Sequence, residues 1–181
     1  MSDTKEETTD HAPTTSEEAA PEIQMYSIYI EASAERIWEA ITTPEFSTRY
    51  GYGSELEIDL RPGGAIRDLC SPEMKAMGMG EVAGTGTVIE LDPPHRLVQT
   101  WSAAWHDEPD TTLTYEITEF AHGPCRLTLT HECLEAPNTA KDVRGGGDIG
   151  AGGGGWPWVL SSLKTLLETD RSMSGAGAGA F

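Results

Sequence analysis

Two successive runs in this chain alternate apolar and polar side chains with a period of two, and that alternation leaves few folds open. In residues 112–120, Leu113, Tyr115 and Ile117 point one way while Thr112, Thr114, Glu116 and Thr118 point the other. In residues 125–132, Leu127, Leu129 and His131 oppose Arg126, Thr128 and Thr130. Strands patterned this way have one wet face and one that an apolar element must cover. The end of the chain supplies the cover. Over residues 156–168, Trp156, Val159, Leu160, Leu163, Leu166 and Leu167 share one side of a helix, and Pro157 falls in a first turn that tolerates it. At about 1.5 Å per residue this helix is roughly 20 Å long, enough to lie across a curved sheet.

The other segments fit the same plan. Residues 25–30 (MYSIYI) read as a strand. Ser33 caps a helix with Glu35 in its first turn and an Ile37, Trp38 and Ile41 stripe, and Pro44 starts a shorter helix carrying Phe46. From Glu55 the period is two again: Leu56, Ile58 and Leu60 alternate with acids, Arg61-Pro62-Gly63-Gly64 supplies a turn, and residues 65–70 return as the hairpin partner. Residues 71–80 read as a Met-rich loop, with further strands over 85–91 and 96–105. Strand, two helices, six strands and a long C-terminal helix make an α+β domain with an antiparallel meander and its helices on one face.

Composition bears mainly on the ends of the chain and on partners. Of 181 residues, 1–24 are nearly all Ser, Thr, Asp, Glu, Ala and Pro and are expected to be a disordered acidic tail. Residues 25–170 form the domain, and 171–181, ending in SGAGAGAF, a flexible tail. Lys and Arg number 12 against 30 Asp and Glu, a formal charge of -18. Binding to nucleic acid or to an anionic membrane surface is therefore disfavoured. No apolar stretch approaches the roughly 18 residues of a membrane span and the N-terminus is acidic, so the expected location is cytoplasmic. Cys70, Cys125 and Cys133 show no metal-binding spacing and are expected to be buried thiols.

His131 is an ionisable group on the apolar side of its strand, and Gln99 joins it if it shares a face with Leu97 and Trp101. A buried polar group without a partner costs about 1–3 kcal/mol. Either these groups are satisfied within the core, the commoner arrangement, or they line a wet pocket that orients an amphipathic ligand. Five tryptophans against three phenylalanines suit pocket walls as well as cores.

Catalytic and cofactor motifs fail on context. Residues 150–155 match G-x-G-x-x-G formally, but no strand leads into them and no parallel strand follows the helix. His131-Glu132 lacks the second histidine of a metalloprotease motif and lies in a strand, and there is no G-x-S-x-G. No metal or cofactor is expected and no nucleophile can be named. Were there catalysis, His131 would be the general acid/base, with Tyr115 a donor to an oxyanion.

Several blocks in order resemble one family: IYIEASAERIWEAITTPEF (28–46), DLRPGGAIR (59–67), GTVIELDPPHRLVQTW (86–101), LTLTHE (127–132) and GWPWVLSSLKTLLET (155–169). They are similar to the AHSA-like branch of the SRPBCC superfamily, proteins related to the C-terminal domain of the activator of the heat-shock-protein-90 ATPase. The resemblance implies a helix-grip fold of the START or Bet v 1 kind, a curved sheet wrapped around the C-terminal helix with a cavity between. The residues expected at that cavity are Trp38, Phe46, Gln99, Trp101, Tyr115, Ile117, Leu129, His131, Trp156, Leu160 and Leu163. The chain departs from the family at residues 141–155, KDVRGGGDIGAGGGG, where a short connection is usual; this insertion is expected to be mobile and to act as a gate. The function expected first is binding of a hydrophobic or amphipathic small molecule. A cyclase- or hydrolase-type enzyme on the same cavity comes second, and a co-chaperone-like interaction with a chaperone or another protein third.

Overall fold

Residues 22–173 are described in the computed structural model; the tails expected over 1–21 and 174–181 lie outside the described residues. One antiparallel sheet contains β1 (Ile23–Ile30), β2 (Glu55–Ile58), β3 (Ala65–Leu69), β4 (Val82–Asp92), β5 (Arg96–Ala103), β6 (Thr111–Thr118) and β7 (Cys125–Glu132). Its order is β1-β7-β6-β5-β4-β3-β2, a meander from β2 to β7 onto which β1 closes. Helices α1 (Ala34–Thr42) and α2 (Pro44–Ser47) carry the chain from one edge strand, β1, to the other, β2. Irregularities in register at Asp68/Leu69 of β3 and between Val88 and Glu90 of β4 bend the sheet locally.

The alternating faces come out as the sequence requires. Gln24 and Ile30 on β1, Leu113 and Ile117 on β6, and Leu127, Leu129 and His131 on β7 are buried, while Met25 and Tyr29 face outward. The cover is α5 (Gly155–Thr169), which buries Leu160, Leu163 and Leu166 against Ile30, Ile37, Leu127 and Leu129. Ser33 caps α1 by accepting from the Arg36 N–H. No helix among the described residues is long and apolar enough to cross a membrane.

Four local differences from the sequence reading have physical causes. The first strand starts at Ile23, ahead of residue 25, because the polar Gln24 is satisfied inside: its Nε2 donates to the Ala140 carbonyl at 2.6 Å and its Oε1 accepts from Tyr26 at 2.8 Å. The Met-rich loop contains a helical turn, α3 (Pro72–Ala76), with Ser71 accepting from the Met74 N–H. Trp105 lies beyond the end of β5 and is about half exposed. Lys141 to Arg144, read as the start of the glycine-rich loop, instead end helix α4 (Pro137–Arg144), which with its preceding residue Ala136 packs Ala140 and Val143 on Cys133.

The glycine-rich segment is folded back on itself. Gly147 N–H donates to Gly153 O at 2.8 Å and Gly153 N–H to Asp148 O at 2.7 Å. A Cβ on Gly145 would lie 2.2 Å from the Gly154 oxygen, so glycine there is a packing requirement.

Leu163, 1% exposed, is the measure of how far α5 closes the core. Leu163→Ala is expected to cost about 2–5 kcal/mol in urea unfolding, and Leu134→Ala, at an exposed site, less than about 0.5 kcal/mol.

Candidate functional site

Strand register sets inward side chains in rows. Gln99, Leu113, His131 and Gln24 oppose one another across β5, β6, β7 and β1, and Leu97, Tyr115, Leu129 and Tyr26 form the next row. The first row holds three polar groups in an otherwise apolar face, so the partner of each decides what the face can do.

His131 is wholly buried and both ring nitrogens are engaged. Trp156 Nε1–H donates to Nδ1 at 3.0 Å, and since an indole nitrogen can only donate, Nδ1 carries no proton. Nε2 lies 2.7 Å from Thr111 Oγ1, whose own proton goes to the Trp101 carbonyl at 2.6 Å. The remaining imidazole proton therefore sits on Nε2 and points at Thr111. Burial lowers the His131 pKa to about 4, which keeps the ring neutral. Trp101 and Trp156 meet it edge-on at 5.6 and 5.8 Å between centroids. This is the satisfied core histidine of the two sequence alternatives, and it leaves no free nitrogen for general acid/base work.

The second polar centre was not singled out from sequence. Asp68 on β3 accepts from Trp101 Nε1–H at 3.3 Å, and burial pushes its carboxyl up to about 6, the Trp101 bond partly opposing this. Gly84, opposite Asp68 on β4, makes room for that contact: a Cβ there would lie 3.0 Å from Trp101 Nε1 and 3.3 Å from Asp68 Oδ2. Burial raises the Tyr50 and Tyr115 phenols, and the Asp68 charge adds to both shifts. Asp68 follows Ile66 and precedes Cys70 at a spacing of two, so the alternation already contained its inward direction. Tyr50 lies outside any periodic element and gave no such signal.

Of the residues expected at a cavity, Phe46, Ile117, Leu129, Leu160 and Leu163 are buried in one apolar cluster, and Trp38, Trp101, Tyr115 and Trp156 pack on it while remaining partly accessible. The buried Phe46 ring is covered by the Arg36 guanidinium, 4.3 Å from its centroid. The Gln99 amide and the Tyr50 and Tyr115 hydroxyls make no hydrogen bond among the described residues. Nor are they sealed: the side-chain atoms that are both unpaired and wholly inaccessible are Thr43 Oγ1 and Arg126 Nε. Two open hollows, about 470 Å³ beside Glu31 and Phe120 and about 530 Å³ beside Pro44 and Arg67, involve none of the expected residues. Among the described residues no cluster of three or more His, Cys, Asp or Glu is placed to hold a metal ion.

At the start of α5, Tyr52 holds the glycine-rich segment. Its hydroxyl donates to the Gly152 carbonyl at 2.8 Å and accepts from the Gly154 and Gly155 N–H groups at 2.9 and 3.2 Å.

Residues 31–168 match the model of a family described as activator of Hsp90 ATPase homolog 1-like protein. Among solved structures, CalU16 from Micromonospora echinospora is similar at 20% identity and a TM-score of 0.56, over 83% of this chain and 77% of its own. CV1439 from Chromobacterium violaceum is 23% identical with a TM-score of 0.59, over 83% of this chain and 99% of its own. PFC0360w, an HSP90 activator from Plasmodium falciparum, is 22% identical with a TM-score of 0.52, over 84% and 91%. At these identities the likeness is one of fold. No curated protein matches the chain.

The partly buried Asp68 and the buried His131 pull stability in opposite directions with pH. Asp68 rises from 3.8 to about 6 on folding, so its contribution is full below about pH 4 and lost as pH rises through 6. His131 falls from 6.5 to about 4, so its contribution is full above pH 6.5 and lost as pH falls through 4. Asp68→Asn is expected to lose more stability than the parent between pH 6.5 and 4, and His131→Gln less, in denaturant titrations across that range. Parallel pH profiles for all three proteins would refute the assignment.

Proposed function

The chain belongs to the activator of Hsp90 ATPase homolog 1-like family, and on that basis we propose that its domain binds a hydrophobic or amphipathic small molecule between the inner face of the sheet and α5. The observation that carries this reading is the set of polar ends at the buried Gln99 and the partly buried Tyr50 and Tyr115, with neither a hydrogen-bond partner among the described residues nor a sealed environment. Each would cost about 1–3 kcal/mol if dry and unpaired, so water or a bound molecule has to satisfy them. The apolar complement is at hand. Trp38 and Tyr115 border both the cluster of Leu129 and Leu163 and that of Ile66, Val88 and Leu97, so a ligand among them would meet apolar walls and a few polar groups.

In this reading His131 acts as a positioning residue. It fixes the Trp156 indole at the start of α5 and, through Thr111, the Trp101 backbone, setting the distance between helix and sheet. Access runs past the Tyr52 clamp. Releasing the glycine-rich segment there exposes the start of α5.

The test is native mass spectrometry of protein purified from its own host, followed by denaturing extraction. A stoichiometric apolar or amphipathic compound is expected, and adding it back at about 100 times its Kd should stabilise the fold by about 2.7 kcal/mol. No bound compound, together with no thermal shift against a panel of lipids and aromatics, would overturn the reading and direct attention to chaperone ATPase assays.

A further inference from the structure

We infer that the polar end of this inner face, built on Asp68, selects a ligand that carries an alkylammonium group. The inference rests on the binding reading above and names the chemistry of its occupant. Asp68 has one hydrogen bond, from Trp101 Nε1–H to Oδ2, and no Lys, Arg or His among the described residues forms an ion pair with it. A partly buried carboxylate held by a single neutral donor is under-compensated, because its second oxygen has no protein partner among the described residues and part of its hydration is lost.

The surroundings match a cation. The Asp68 charge acts on the Tyr50 and Tyr115 phenols, and the Trp101 indole N–H is bonded to the carboxylate. An ammonium group there would be held by the carboxylate charge, and any ring face within about 6 Å of it would add its quadrupole. Gln99, 7% exposed and without a hydrogen-bond partner among the described residues, lies on the same strand face as Trp101 and opposite Leu113. Trp38, Ile66, Val88 and Leu97 offer the alkyl chain an apolar bed. An anionic headgroup would meet an unpaired carboxylate at this position, and an alcohol would leave its charge uncompensated.

The test uses the full chain at pH 7.5 and 150 mM salt, where general attraction of cations to an acidic surface is largely screened. Octylamine, octanol and octanoate serve as probes, with affinity read by calorimetry and the Trp101 indole N–H by ¹⁵N NMR, its resonance assigned by its loss in Trp101→Phe. Octylamine is expected to bind one to one and at least tenfold more tightly than either analogue, to shift the Trp101 resonance, and to lose that preference in Asp68→Asn but not in the surface control Glu132→Gln. If Asp68→Asn does not fold, the Trp101 shift in the parent protein decides. Equal one-to-one binding of all three probes would overturn the inference while the binding reading stands. A preference for octylamine that survives Asp68→Asn, or leaves Trp101 unmoved, would overturn it as surface attraction. Binding of none of the three would overturn both.

Discussion

The hydrogen-bonded line through His131 is the constraint on which the rest of the domain depends. A neutral imidazole between a donor-only indole and a hydroxyl whose proton is already committed has one workable tautomer, and that tautomer ties three elements together. Trp156 places the first turn of α5, Thr111 places the start of β6, and the Trp101 carbonyl places the end of β5. Because the group is fully buried, neither end of the line can be exchanged for water at small cost. The apolar cluster of Leu113, Leu129, Leu160 and Leu163 packs around a distance that this polar line has set.

Trp101 is the residue that joins this line to the other polar centre. Its backbone oxygen belongs to the His131 network, while its indole reaches across a side-chain-free Gly84 to Asp68. The His131 line is thus satisfied within the protein, while one Asp68 oxygen, the Tyr50 and Tyr115 phenols and the Gln99 amide have no protein partner among the described residues. The Tyr52 clamp lies at the start of α5, where a single phenol organises a segment whose glycines let the backbone pack against itself.

The fold was largely legible before any coordinates. Period-two alternation in β6 and β7, the Ser33 cap, the Pro44 start of α2 and the apolar stripe of α5 each follow from local stereochemistry. Helix α4 was not legible, because a short polar helix with few apolar residues is stabilised by what it packs on, here Cys133, and by Glu108, which accepts from the Asn138 and Thr139 N–H groups from a distant loop. Glutamine at position 24 likewise looked like tail, since its partners are remote in sequence.

For the site, the sequence by itself determined that His131 faces inward, since side-chain direction in a strand alternates by geometry alone, and that tryptophans are available to surround it. Tertiary structure decided what that inward position means. Whether a buried histidine is a free base or a spent one depends on which atoms from other elements reach its two nitrogens. The same holds for Asp68, whose significance comes from the absence of an ion-pair partner among the described residues and from the bond to Trp101, two groups that chain order separates and strand register brings together. Hydrogen bonds and desolvation act over a few ångströms, a scale at which neighbours in space, not in sequence, set the chemistry.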